Sequence, residues 1–186
     1  MTRPFLLATP LLVTLAACGG TEAEGGAAQV DQDAIAACDL ITQADAEAIL
    51  GAVTGEPDAR ESSGMDGERA SSCMYAGTSG TLTVRAWHPY SGVEATSAAL
   101  VQRLKSERAD QAAEETDPAI AQFTAGMVIT EYDGLGIPAA LEDMRASLPN
   151  VTLHIMKPSA RAYLAIDAET PELARAAADR AVARLP

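Results

Sequence analysis

Along residues 81–87 (TLTVRAW) apolar and polar positions alternate strictly. Leu82, Val84 and Ala86 point one way; Thr83, Arg85 and Trp87 point the other, a period of two that predicts a half-buried strand. Residues 73–75 (CMY) begin a preceding strand, and the glycines at 77 and 80 bracket a turn, so the two runs predict a hairpin. Residues 151–156 (VTLHIM) and 161–167 (RAYLAID) alternate in the same way around Lys157-Pro158-Ser159-Ala160 and predict a second hairpin. Residues 127–132 (MVITEY) read as a further strand, followed by the turn Gly134-Leu135-Gly136. Residues 139–144 fit either a short strand or a helical turn.

Three stretches carry helical spacing instead. Thr42 with Asp45 three residues on has the form of a capping box. The helix it opens carries Ala46, Ile49 and Leu50 and stops at Gly51, a suitable residue for the left-handed position after a helix. Val93, Ser97, Leu100, Val101 and Leu104 form one stripe over residues 93–108. A polar stretch follows, broken at Pro118. Thr170-Pro171-Glu172 supplies a cap, a proline for the first turn and an acid there, so a helix runs from Pro171 to the C-terminus. Its core side is expected at Leu173, Ala177, Val182 and Leu185.

The resulting order is helix, hairpin, helix, strand, hairpin, helix. It contains no strand–helix–strand nucleotide fingerprint and no repeat of fixed period. It predicts an α+β domain over residues 34–186: an antiparallel sheet of about five strands, helices packed on one face, and one disulfide. Residues 54–72, rich in Gly, Ser, Glu, Asp and Arg, read as an exposed loop. Residues 19–33 (GGTEAEGGAAQVDQD) lack any period and read as a flexible tether.

Residues 1–17 have a different character. Arg3 precedes an apolar run over residues 5–16 (FLLATPLLVTLA), too short for the roughly 20 residues that a spanning helix needs. The run ends at Leu15-Ala16-Ala17-Cys18, which resembles the bacterial lipobox. That resemblance implies cleavage before Cys18 and acylation of its thiol, leaving residues 18–33 as a lipidated N-terminus and linker. It implies an address on the extracytoplasmic side of the cell envelope: the outer face of the plasma membrane, or an outer membrane if the organism has one. Two or more acyl chains anchor stably at about 0.8 kcal/mol per buried methylene.

Charge narrows the partners. The formal net charge is −13, which disfavours nucleic acid, whose binding rests on basic neutralisation of phosphates. It equally disfavours direct docking on anionic headgroups, so the expected membrane attachment is the lipid on Cys18. Hydrophobic residues make up 48% of the chain and aromatics only 4%, which predicts a core of small side chains.

Of the three cysteines, Cys18 is assigned to lipid, leaving Cys38 and Cys73. In an oxidising compartment a disulfide is their natural state. The alternatives are a redox pair, which lacks the C-x-x-C spacing, and a metal site, which lacks a nearby histidine.

The segments Cys38-Asp39-Leu40-Ile41-Thr42, Gly51, Cys73-Met74-Tyr75 and Gly134-Leu135-Gly136, behind a lipobox, resemble a family of actinobacterial-type lipoproteins classed as a domain of unknown function. Ile41 and Ile137-Pro138 depart from its pattern. The resemblance implies the same disulfide and an α+β fold, and it implies no activity.

No G-x-S-x-G, S-x-x-K or H-E-x-x-H motif occurs, so no catalytic residue, metal ligand or cofactor is expected. Trp87, His88 and Tyr90 form a cluster that would line a binding surface or close the rim of the core. His154 is read as solvent-side or helix-facing. Glu114, Glu115 and Asp117 read as a solvated helix end. The expected function is a non-enzymatic, envelope-anchored interaction domain for an unknown envelope protein. A small-molecule or lipid carrier or sensor is the alternative, and an enzyme with an uncharted site a third.

Overall fold

A computed structural model describes residues 35–63 and 68–186. The leader, Cys18, the tether and the four residues 64–67 within the 54–72 stretch lie outside the described residues.

The elements run α1 (Ala37–Leu40), α2 (Gln43–Leu50), β1 (Asp58–Ser63), β2 (Arg69–Gly77), β3 (Gly80–His88), α3 (Ser97–Glu114), α4 (Pro118–Ala125), β4 (Val128–Glu131), β5 (Ala139–Asp143), β6 (Val151–Lys157), β7 (Ala162–Ala168) and α5 (Pro171–Arg184). All strand pairs are antiparallel, in the order β1-β2-β3-β7-β6-β5-β4. The two expected hairpins therefore meet at the centre, where β3 pairs with β7.

The sheet has seven strands rather than about five. Residues 139–144 resolve to the strand β5. The other addition, β1, lies inside the stretch expected to be loop. Its residues DARESS are mostly exposed, so no apolar alternation marks them, and only the backbone ladder to β2 makes them a strand.

The helices cover both faces, not one. Against the first face pack α1, α2 and α5, enclosing Leu82, Val84, Leu153, Ile155, Leu164 and Ile166. Against the second pack Leu100, Val101 and Leu104 of α3, meeting Ile129, Ala140, Met156 and Tyr163. The physical reason is the central hairpin. From Val151 to Met156 every residue is buried, as is every residue from Ala162 to Ile166, and strands buried on both sides need a layer on each.

Local chemistry sets the helix ends. The Thr42–Asp45 capping box forms as expected. Thr96 caps α3 by accepting from the Ala99 amide, so the helix starts at Ser97 and leaves Val93 exposed before it. Pro118, expected as a break, opens α4 instead, with Asp117 accepting from the Ala119 amide. On α5 the buried stripe is Ala174, Ala177, Ala178 and Ala181, with Leu185 just beyond the helix. Leu173 and Val182 only flank it. Alanine brings the helix axis close to the sheet.

The disulfide Cys38–Cys73 is formed, with an S–S distance of 2.02 Å, and it staples α1 to β2. The Tyr75 hydroxyl donates to the Ile41 carbonyl beside it. Asp45 does double duty: besides capping α2 it receives Arg180 at 3.2 Å and Arg184 at 2.7 Å from α5. The Arg184 hydrogen bond is the main reason its carboxyl lies well below the usual range.

Candidate functional site

The polar residues of the second face converge. Register places Thr83, Asp167, Thr152, Glu142 and Ile129 in one row across β3, β7, β6, β5 and β4. The next row carries Arg85, Ala165, His154 and Ala140. α3 covers only part of these rows, and its Arg108 reaches down onto them.

Glu142 and His154 are buried on this face, at 1% and 3% exposure, beside the buried phenol of Tyr163. Arg108 holds Glu142 as a fork, with Nε 2.5 Å from Oε1 and Nη2 2.8 Å from Oε2. His154 Nε2 lies 3.0 Å from Oε2 of the same carboxylate, and Nδ1 lies 2.6 Å from the Tyr163 hydroxyl. With the Tyr163 hydroxyl donating to Nδ1 and Nε2–H donating to Glu142, every polar atom of this hydrogen-bonded chain has a partner. Burial opposes ionisation of Glu142, but the hydrogen bonds from Arg108 and His154 and the charge of the Arg108 guanidinium outweigh it and hold the carboxyl down to about 2. Burial pushes the Tyr163 phenol well above its ordinary range, so it stays a donor. Both ring nitrogens of His154 are thus engaged within the protein. Arg108, Glu142 and His154 form a clasp between α3 and the sheet.

Beside the clasp the sheet face opens into a basin of about 750 Å³. Arg85, Thr83, Thr152, Asp167, Asn150 and one wall of Glu142 line its polar side; Met127, Met144 and Leu148 form an apolar rim. Arg85 Nη2 forks onto Asp167 at 2.7 and 2.8 Å, and the Thr152 hydroxyl donates to the same carboxylate at 2.7 Å. Arg85 Nε is buried without a partner. Such a surface has donors and acceptors in fixed positions for a polar ligand.

The sequence-derived cluster divides. Tyr90 stacks on Tyr163 and Trp87 packs tilted against it, each with ring centroids 5.0 Å away. Arg103 lies 5.1 Å above the Tyr163 ring and 5.5 Å above Tyr90. Both rings are half-buried against the second core. His88 follows Trp87 on β3, where alternation turns it to the opposite side, and its peptide bond to Pro89 is cis. Trp87 and Tyr90 are thus brought together with Tyr163, and His88 is not. The acids at the end of α3 serve the backbone: Glu115 accepts from the Asp117 amide, and Asp117 caps α4. Among the described residues no group of three His, Cys, Asp or Glu is arranged to hold a metal, and no helix is long and apolar enough to cross a membrane.

Alternation in residues 81–87, 151–156 and 161–167 already places Arg85, His154 and Tyr163 on one kind of face. Glu142 carried no such signal, because its segment was ambiguous between strand and helix. Arg108 stood only as the last residue of a helical stripe.

No family model, curated protein or solved structure matches this chain.

Proposed function

We propose that the chain is a cell-envelope lipoprotein, anchored through acylated Cys18 on the extracytoplasmic side, whose folded part is a non-enzymatic interaction domain. The observation that carries the address is Leu15-Ala16-Ala17-Cys18 at the end of a short apolar run. The bond between Cys38 and Cys73 supports it, since such bonds persist in oxidising compartments. The engagement of both His154 ring nitrogens within the protein favours binding over catalysis, since each already has a partner in Tyr163 or Glu142.

The test is mass spectrometry of the mature N-terminus after gentle extraction from the native membrane, with Cys18→Ser as control. Diacylglyceryl on Cys18 is the expected result, and an unmodified thiol overturns the anchor. The basin of about 750 Å³ favours one second reading, a carrier or sensor of a small polar molecule. In the same spectra that reading requires a non-covalent adduct on the wild-type chain that disappears in Arg85→Ala.

A further inference from the structure

α4 carries the sequence PAIAQFTA, yet none of its residues is buried. It packs on α3 and leaves Ile120 49% exposed. Next to it, the first residue of the edge strand β4, Val128, is 57% exposed, and Leu148 in the β5–β6 connection is 49% exposed. Between α4 and that connection runs a groove of about 370 Å³ lined by Ala119, Phe123, Met127, Met144 and Ala146. β4 pairs only with β5 and forms one edge of the sheet. Scattered apolar residues on a surface need no explanation, but a whole apolar helix beside an open groove and a sheet edge does.

Apart from the Arg145–Asp143 pair at the groove, the sequence that builds its α4–β4 side carries charge of one sign. No Lys or Arg occurs between Arg108 and Arg145, whereas Asp110, Glu114, Glu115, Asp117, Glu131 and Asp133 all fall in that interval. The flanking cations are already engaged, Arg108 with Glu142 and Arg145 with Asp143. Asp117 caps α4 one turn before Ile120, and Glu115 is bonded to its backbone, so acid stands at the mouth of the apolar surface. An anionic membrane is repelled by such a rim, and a second copy of this acidic chain is repelled as well.

We infer that the α4–β4 groove docks an amphipathic segment of another envelope protein, one whose apolar residues are flanked by Lys or Arg. The apolar side chains of that segment fill the groove beside Phe123 and Met144, while its basic residues meet the acids on either side of α4. The inference rests on the interaction reading above and supplies the chemistry of its partner.

The experiment places a photo-crosslinking residue at position 120 of the full chain in its own cells, with position 47 on α2 as the control. Mapping of the adducts is expected to give one segment of a different protein, with Lys or Arg beside apolar residues. Reversing exposed acids on either side of α4 with Glu114→Lys and Glu131→Lys, which leaves the Asp117 cap in place, should lower the yield on the order of tenfold, the effect of turning a complementary rim into a repulsive one. Far-ultraviolet dichroism checks that this variant keeps its helices. Four results overturn the inference: labelling no stronger than at position 47, adducts to lipid, adducts to a second copy of this chain, or a yield indifferent to charge reversal. Failure of the anchor is read separately, as release of the wild-type chain from the membrane fraction.

Discussion

The guanidinium of Arg108, on the covering helix α3, forks onto the carboxylate of Glu142, which is 1% exposed on β5. A lone buried carboxylate costs several kcal/mol to ionise, so this contact makes the charge tolerable and ties its helix to the sheet. It also accounts for the placement of His154, whose Nε2 needs an acceptor once the ring is buried.

Removing the cation alone should therefore be costly. Arg108→Leu is expected to destabilise the domain by about 3–5 kcal/mol, because Glu142 keeps its charge without its main partner. Adding Glu142→Gln should restore part of the loss, since the amide is neutral and still bonds to His154. Urea unfolding of the two variants checks this. A single variant as stable as wild type would mean that water from the basin solvates Glu142.

The same carboxylate sets an acid limit. Its folded pKa lies near 2, below the ordinary 4.5, so the folded state binds this proton less readily than the unfolded chain. The stability it contributes is full above about pH 5 and is lost as pH falls towards 2. Asp45 is shifted in the same direction through Arg184 and acts with the same sign. In Glu142→Gln the fall of unfolding free energy between pH 5 and 2 should be shallower than in wild type, whereas above pH 6 the two curves should run parallel. Equal slopes in the acid window would refute the assignment.

The disulfide spans a sequence separation of 35 residues. Chain entropy assigns such a loop about 4 kcal/mol. The Cys38→Ser, Cys73→Ser double variant is expected to lose roughly that much in guanidinium unfolding. If reduction left the wild-type midpoint unmoved, α1 would be held to β2 by packing alone.

Trp87 is the single tryptophan of the chain and packs tilted against Tyr163. Because its partly buried ring packs against the second core, Trp87→Ala should cost about 1–2 kcal/mol, more than a surface change does. The indole emission also reports this layer. Tyr163→Phe, which removes the hydroxyl partner of His154 but keeps the ring, should alter that emission less than Tyr163→Ala. Identical spectra for the two would show that this packing does not order Trp87.

Local chemistry was legible in the chain itself. Thr42 with Asp45, Thr170 with Pro171, and the alternation in residues 81–87, 151–156 and 161–167 act over a few residues, so pattern alone determined those caps and strands. The pairing of Cys38 with Cys73 followed once Cys18 was set aside for its resemblance to a lipobox cysteine, which leaves two thiols. What the pattern did not carry was decided at long range. β1 has no apolar face, so only the backbone of β2 makes it a strand. Pro118 reads as a break yet opens α4, a short helix that packs on α3. His154 reads as solvent-side or helix-facing, and the packing of α3 over the second face decides for the helix. Glu142 and Arg108 stand 34 positions apart in the chain. Nothing local joins them, and only the packing of helix on sheet takes both out of water and makes each the other's requirement.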